Sequence, residues 1–354
     1  MRVLVWYWGR RGGGADFTVG VIRLLANQFE VDVVVSVADS LERLDDVRSV
    51  TTSSTFPLSV SASSFGLFPV WRLRRLVRAQ KIDVVLNAMV HPFTPLGLTA
   101  LKWLNVPVVS VIHDAEPHPG ERLKVINWVT RYTVKHSTRL IAASDHVGSQ
   151  LRHRGFTNVD VMALVDHHDM VDHFAADGDV VFVGRLLRYK GLRLLADAWA
   201  MLPTGHGVRL RVHGEDQGGV TKDLERLGEV GAEVSTGWIP YDEMPSVLQG
   251  ARLLVLPYFE SSQSGLARLA LAARIPVLFT RVGGLSDQLR AGATGVEPNP
   301  KAFSKALRSL IDNPEDLKKL HAEACAAFEF EMTDGQAEQR QELLNALRKA
   351  VANR

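Results

Sequence analysis

A single cysteine, Cys325, stands in 354 residues, so no intramolecular disulfide can form and a reducing compartment is expected. On a helical stretch it reads as a small, buried or half-buried side chain. An excess of either charge is also missing, with 41 Lys and Arg against 39 Asp and Glu for a formal charge of +2. That balance gives no global electrostatic case for a nucleic-acid partner, so any basic site must be local. No apolar run reaches the length of a transmembrane helix. The opening "MRVLVWYWGRRGGG" holds a short apolar stretch before arginines and glycines, without a small-residue cleavage site, and reads as a strand rather than a secretory signal. The expectation is a cytoplasmic protein, soluble or peripheral on the inner face of the membrane.

What the chain has in quantity is hydrophobic residues, at 46%, enough for two domains with a core each. Short Val/Ile/Leu runs at 3–6, 31–37, 82–86, 106–112 and 139–143 are nearly continuous in apolar residues. Strands of a parallel sheet covered by helices on both faces read this way. Helical patterns at 16–27, 70–80 and 123–135 separate them, a Rossmann-like alternation. The pattern restarts beyond residue 165, with strands expected at 180–183, 208–213, 233–236, 253–257 and 276–280. The fold class is therefore α/β, with domains at 1–165 and 166–334 and a C-terminal helix over 335–354. The polar stretch "VDHHDMVDHFAADGD" reads as the link. Its His167, His168 and His173, with His206 beyond, lack the Cys/His spacing of a structural zinc site, and no metal is expected.

In open α/β sheets ligands sit at the carboxyl ends of the strands, and the motifs follow strands. In "FVGRLLRYKG" Gly184 ends a strand, Arg185 offers a planar fork of donors and Lys190 a compact point charge, together suited to a phosphate or diphosphate. Taken alone, the pair reads as solvated loop charges. A second anion-compatible feature is Ser264-Gly265-Leu266, which follows a strand and opens an apolar helix whose first amides are free to donate. Ser264 also suits an ordinary N-cap. Val282-Gly283-Gly284 adds a tight turn after the next strand.

The runs "FVGRLLRYKG", "GWIPYDEMPSVLQGARLLVLPY", "SQSGLARLALAARIPVLFTRVGGLSDQL" and "ATGVEPNP", in this order over 179–315, resemble the second half of the family 4 glycosyltransferases. Less tightly, "RRGGGADFTVGV" is similar to that family's glycine-rich first loop and "SVIHDAEPHPGE" to its histidine loop. The resemblance implies the GT-B fold, two Rossmann-like domains facing across a cleft, with the last helix crossing back to the N-terminal domain. It implies a nucleotide-diphosphate sugar as donor, bound by the C-terminal domain, an acceptor on the N-terminal domain, retention of configuration, and no cofactor. Carried onto this chain, Arg185 and Lys190 would bind the diphosphate, capped by the Gly265 and Leu266 amides. Together they would stabilise charge on the leaving group without a divalent metal. His113 would lie beside the transferred sugar, and Gly13 and Gly14 would let the backbone approach a ligand. The acceptor would be a glycan, a glycolipid or a lipid-linked precursor; the base and sugar of the donor stay open.

The chain also departs from the family. Two glutamates eight positions apart often flank the serine-glycine turn, the second contacting the ribose. Here Ser262 and Ala270, or Ser261 and Leu269, hold those positions, and Glu260 is out of register. The "QSG" turn, with Gln263, marks a subset that also lacks the pair. In the histidine loop, His113, Asp114, Glu116, His118 and Glu121 follow a strand and could take a proton from an acceptor hydroxyl. Equally, Asp114, Glu116 and His118 suit a solvated loop bounded by Pro117 and Pro119, and Glu121 a first helical turn. "FGLFPVWRLRRLVRAQK", 65–81, mixes Phe65, Phe68 and Trp71 with Arg72, Arg74, Arg75, Arg78 and Lys81. It fits either a helix lying on an anionic membrane or a covering helix with a basic outer face. The helical C-terminus breaks near Thr333-Asp334-Gly335. Two readings compete with the transferase. A dinucleotide enzyme is opposed by Phe17, which stands where the last glycine of G-x-G-x-x-G belongs. A non-catalytic sugar-nucleotide-binding or scaffold protein is motivated by the missing glutamates.

Overall fold

The computed structural model describes residues 1–26, 30–51, 54–59, 67–116, 124–165 and 170–353. Phe65, Pro117, His118, Pro119, Glu121, His167 and His168 lie outside the described residues. The chain forms two compact units. The first comprises Met1–Pro117, Arg122–His167 and Asp334–Arg354; the second comprises His118–Glu121 and His168–Thr333.

The first unit is built on seven parallel strands: β1 (Arg2–Tyr7), β2 (Asp32–Ala38), β3 (Thr55–Leu58), β4 (Val84–Asn87), β5 (Val108–Ile112), β6 (Arg139–Ala142) and β7 (Val159–Val161). Their order is β3-β2-β1-β4-β5-β6-β7. Alternation along β1 assigns its side chains to the two faces. Val3, Val5 and Tyr7 join a core closed by helices Gly13–Ala26 and Gln336–Ala352, the latter contributing buried Leu343, Leu344 and Leu347. Leu4 and Trp6 join the opposite core, under Leu73 and Val77 of helix Leu67–Ala79 and Leu98 and Leu101 of helix Thr94–Lys102. Trp6 fills the space above Gly97 so closely that a Cβ there would sit 2.2 Å from its ring.

The second unit has six parallel strands: β8 (Phe174–Val183), β9 (Leu210–Gly214), β10 (Glu233–Thr236), β11 (Ala251–Leu256), β12 (Val277–Thr280) and β13 (Ala293–Val296), ordered β10-β9-β8-β11-β12-β13. β11 is buried at every position, as the central strand of a doubly covered sheet must be. Helices Leu192–Trp199 and Pro300–Asp312 supply Leu195, Trp199, Phe303 and Leu307 to the same core. Helix Pro314–Phe330 continues through a π-helical turn, Glu331–Gly335, into helix Gln336–Ala352, so the break read near Thr333 is a widened turn in an otherwise helical chain. β3, β7 and β13 were not expected from the sequence; all three are short and two of them close the edges of the first sheet.

Each strand order reverses direction once, between β1 and β4 in the first unit and between β8 and β11 in the second. At such a switch point the connections leave on opposite faces and open a crevice at the strands' carboxyl ends.

Candidate functional site

In the second unit the switch point gathers most of the residues that the sequence singles out. Gly184 follows β8 with φ of 129°, and a Cβ on it would lie 2.7 Å from Leu266 Cδ1, so the β8 loop touches the start of helix Gly265–Ala272. Arg185 is exposed and donates from Nη2 to the Tyr189 hydroxyl at 3.2 Å. Lys190 is only 9% exposed, and its Nζ stands 3.8 Å from the centroid of the Tyr258 ring and 5.1 Å from that of Tyr189. An ammonium over a buried ring face gains a cation–π attraction that offsets part of its lost hydration. The two loops are tied by the Phe259 amide donating to Tyr189 O at 2.8 Å. Gly191, at φ 73°, permits the close fit, since a Cβ there would sit 1.8 Å from Pro257 O.

Ser264 occupies the N-cap position of helix Gly265–Ala272 but makes no capping bond through its side chain. Its Oγ is buried beside the buried Tyr258 hydroxyl, and neither reaches a further polar partner. Burial pushes the Tyr258 phenol upward, while the adjacent Ser264 and Arg185 act the other way. The Ser264 amide donates to Gln288 Oε1 at 2.7 Å, which leaves Gly265 and Leu266 as the first amides the helix presents. The Val282-Gly283-Gly284 turn closes on the same loop: Gly284 N donates to Ser261 O at 2.9 Å, and a Cβ on Gly283 would lie 1.8 Å from that oxygen. Glu260 is half-buried in the loop before this turn, and Gln263 is half-buried with a buried Oε1 that has no partner.

In the first unit the glycine-rich loop follows β1 and the histidine follows β5, neighbour of β4 across the switch. A Cβ on Gly13 would meet nothing within 4 Å, whereas one on Gly14 would lie 2.5 Å from Met89 Sδ and 2.7 Å from the Tyr7 hydroxyl. Gly14 thus makes room for the unit's own side chains, and Gly13 alone leaves open space. His113 is 7% exposed, set edge-on to Phe17 at 4.8 Å, with Nε2 3.2 Å from Ala88 O. A carbonyl only accepts, so Nε2 carries the proton and Nδ1 is the acceptor of the neutral ring. Burial lowers the His113 pKa, against smaller opposing effects of Asp114 and the Ala88 carbonyl. Asp114 is half-buried and Glu116 exposed.

Sequence reasoning missed several groups beside these. Asp16, in the first turn of helix Gly13–Ala26, pairs with the buried Arg43 at 3.2 Å. Burial pushes the Asp16 carboxyl up to about 6, the Arg43 pair opposing and Glu42 and Asp46 adding to the rise. Tyr7 is raised by its burial and by the charge of Asp16. The acid after "GGG" was a visible signal; Arg43, 27 residues on, was not. Nor could spacing reveal that Tyr189 and Tyr258 flank Lys190. Of the linker histidines, His173 donates its amide to Ala273 O at 3.1 Å, while His206 stacks edge-on with Trp199 at 5.0 Å. Among the described residues one mixed cluster, Asp172, His321 and Cys325, has donor atoms within 4.8 Å of one another. His321 there already bonds Arg274 O at 2.8 Å and Asp172 at 3.2 Å.

Comparison with known proteins bears on the family and the fold. A family model described as Glycosyltransferase Family 4 matches residues 11–163, and one described as Glycosyl transferases group 1 matches residues 177–313. The D-inositol 3-phosphate glycosyltransferase of Corynebacterium glutamicum is 32% identical over 148 residues, 38% of this chain and 35% of that protein. The glycogen synthase of Mycobacterium tuberculosis is 26% identical over 247 residues, 63% of this chain and 58% of that protein. The chain thus spans from about a third to under two thirds of these curated relatives. Among solved structures, Anabaena HepE in complex with UDP and glucose is similar at a TM-score of 0.75 and 15% identity, over 99% of this chain and 100% of that one. That likeness is one of fold: parallel-sheet α/β units in tandem. With one model matched to the body of each unit, in the order the motifs led us to expect, this chain belongs to the family 4 glycosyltransferases.

Proposed function

We propose that the protein is a retaining glycosyltransferase that moves a hexosyl group from a nucleotide-diphosphate sugar to a glycan, glycolipid or lipid-linked acceptor. The observation that carries the reading is the buried ammonium of Lys190, held against Tyr258 in the loops that also present Arg185 and the start of helix Gly265–Ala272. A charge is costly to bury unless it is paired, and a bound diphosphate would add to the pairing of this ammonium. Two cations and two helix-end amides suit a diphosphate whose charge grows as the glycosidic bond breaks, the stabilisation that metal ions give elsewhere. The donor is therefore taken without a divalent metal. Relatives named for glycosyl transfer and a structural neighbour solved with UDP and with UDP-glucose support a uridine nucleotide as the first base to try. Neutral His113, its Nδ1 the acceptor, would receive a hydroxyl hydrogen from sugar or acceptor.

The test is a thermal-shift panel of UDP, GDP, ADP, CMP and NAD in EDTA, on wild type and the Arg185→Ala/Lys190→Ala double mutant. At about 100 times its dissociation constant a ligand stabilises by about 2.7 kcal/mol. One nucleoside diphosphate should stabilise wild type and leave the mutant unmoved; a shift with NAD alone would replace this reading with a dinucleotide enzyme. The second reading, a sugar-nucleotide-binding protein without turnover, is favoured by the serines, leucine and alanine at the glutamate positions. Transfer of sugar to any acceptor by the purified protein excludes it.

A further inference from the structure

The helix Leu67–Ala79 covers the first sheet with Leu73 and Val77, as one of the two sequence readings of 65–81 had it, yet its outer face is not merely solvated. Phe68 and Trp71 are half exposed, stacked at 6.2 Å, with the Arg72 guanidinium 5.1 Å from the Phe68 ring and that of Arg75 5.8 Å from the Trp71 ring. Beside it runs helix Thr94–Lys102, and beside that helix Lys124–His136, joined by a 2.8 Å bond between the Thr99 and Tyr132 hydroxyls. These neighbours continue the pattern, leaving Leu96, Trp103, Val125 and Trp128 exposed. The three tryptophans more than half exposed among the described residues, Trp71 at 54%, Trp103 at 77% and Trp128 at 57%, all belong to this face. Apolar side chains exposed on three neighbouring helices of one layer call for a partner more than singly scattered ones do.

The charge names the partner. The three helices carry no Asp or Glu, in a chain with 39 of them. Arg72, Arg75, Arg78, Lys102, Arg131 and Lys135 are exposed on them. Aromatic side chains among cations, on helices with no acid of their own, fit the headgroup layer of an anionic bilayer, where rings sit at the interface and each base adds attraction to acidic lipid. Among the described residues no helix is long and apolar enough to cross a membrane, and the contact argued here is one of a surface face. We infer that this three-helix face of the first unit docks on an anionic lipid surface. The inference rests on the face alone and goes beyond the sugar-transfer reading.

The experiment is co-sedimentation of the full chain with vesicles of phosphatidylcholine, or of phosphatidylcholine with a quarter of the lipid as phosphatidylglycerol, without nucleotide. Wild type should partition onto the acidic vesicles at least about tenfold more strongly than onto the neutral ones, with the advantage shrinking at high salt. Trp71→Ser/Trp103→Ser/Trp128→Ser and, separately, Arg72→Glu/Arg75→Glu should each reduce that binding at least about tenfold. All five side chains are exposed, so melting curves should stay near wild type, and the two variants fail independently if one misfolds. Equal partition onto both vesicles, or none onto either, overturns the inference. So does self-association in sedimentation equilibrium that the tryptophan variant abolishes, which would make a second copy the occupant. Because no sugar nucleotide is present, either outcome leaves the transferase reading to its own test.

Discussion

Gly13 and Gly14 are adjacent in sequence and opposite in physical role, which makes their alanine variants an internal control. Gly13 opens helix Gly13–Ala26 with no atom within 4 Å of a would-be Cβ, and its φ is not positive. Alanine fits there without strain and should stabilise by about 0.4 to 1 kcal/mol by restricting the unfolded chain. For a unit of this size that raises Tm by about 1 to 4 °C. Gly14 is the reverse. Its Cβ would meet Met89 Sδ at 2.5 Å, from which a flexible thioether can retreat, but also the hydroxyl of buried Tyr7 at 2.7 Å, which cannot. Gly14→Ala should therefore destabilise by about 1 to 3 kcal/mol, an overpacking cost. If the open side of Gly13 is where a ligand meets the backbone, the added methyl that stabilises the fold should also lower kcat/KM at least about tenfold, a loss of about 1.4 kcal/mol. Thermal unfolding and turnover of both variants decide it. A Gly13→Ala protein that is more stable and fully active refutes the assignment of this loop to ligand; one that is as unstable as Gly14→Ala refutes the packing argument.

Lys190→Ala should reduce turnover of the nucleotide-sugar donor about 10²- to 10³-fold, by analogy with losing one charge-stabilising donor in a preorganised site. Undiminished release of nucleoside diphosphate by that variant would remove Lys190 from the diphosphate. Asp16 makes a pH prediction of the opposite sign to the usual carboxylate. Its folded pKa, about 6, lies above the ordinary 3.8, so the native state holds this proton more tightly than the unfolded chain. The resulting stabilisation is complete below the unfolded value and is lost as pH rises through about 6, a swing of about 3 kcal/mol. Denaturant titrations of wild type and Asp16→Asn at pH 4 and pH 7.5 should show the asparagine variant gaining about 2 to 3 kcal/mol on wild type across that interval; a constant difference would place the Asp16 pKa near its ordinary value.

The interior of both sheets was legible because burial on two faces demands continuous apolar runs, and β1, β2, β5 and β11 have them. The edges were not. β7 is three residues long, β3 contains Pro57, and β13 is half-buried throughout, so none is forced into an apolar pattern. The same division holds for the site. Arg185, Lys190 and Ser264-Gly265-Leu266 could be read because each follows a strand that could itself be read. What surrounds them could not: the Tyr258 face under Lys190 and the Gln288 oxygen on the Ser264 amide depend on contacts across 68 and 24 residues. The pairing of Asp16 with Arg43 depends likewise on β2 passing between them.

The absent glutamate pair can be judged from the packing of the turn itself. Family resemblance implies a carboxylate near Ser261 or Ser262 and a second at Leu269 or Ala270. Glu260 would need to slide by one or two residues to supply the first, but the backbone is pinned: Ser261 O accepts the Gly284 amide and closes on Gly283, while Ser261 Oγ donates to Gln263 O at 2.9 Å. At the second site Leu269 and Ala270 are 2% and 0% exposed, members of the apolar core beneath the sheet's helices. An ionised carboxylate placed there would lose its hydration, a cost of several kcal/mol unless a cation were paired with it. The serines are nearly as enclosed, with Ser261 and Ser262 at 2% and 6%. In both alignments, then, the positions are enclosed by their neighbours, so a carboxylate is not accommodated at this turn by a single substitution. On the proposed reading, a nucleotide held here would be held through its diphosphate, by Arg185, Lys190 and the helix amides, with its remaining selectivity supplied by other residues of the second unit.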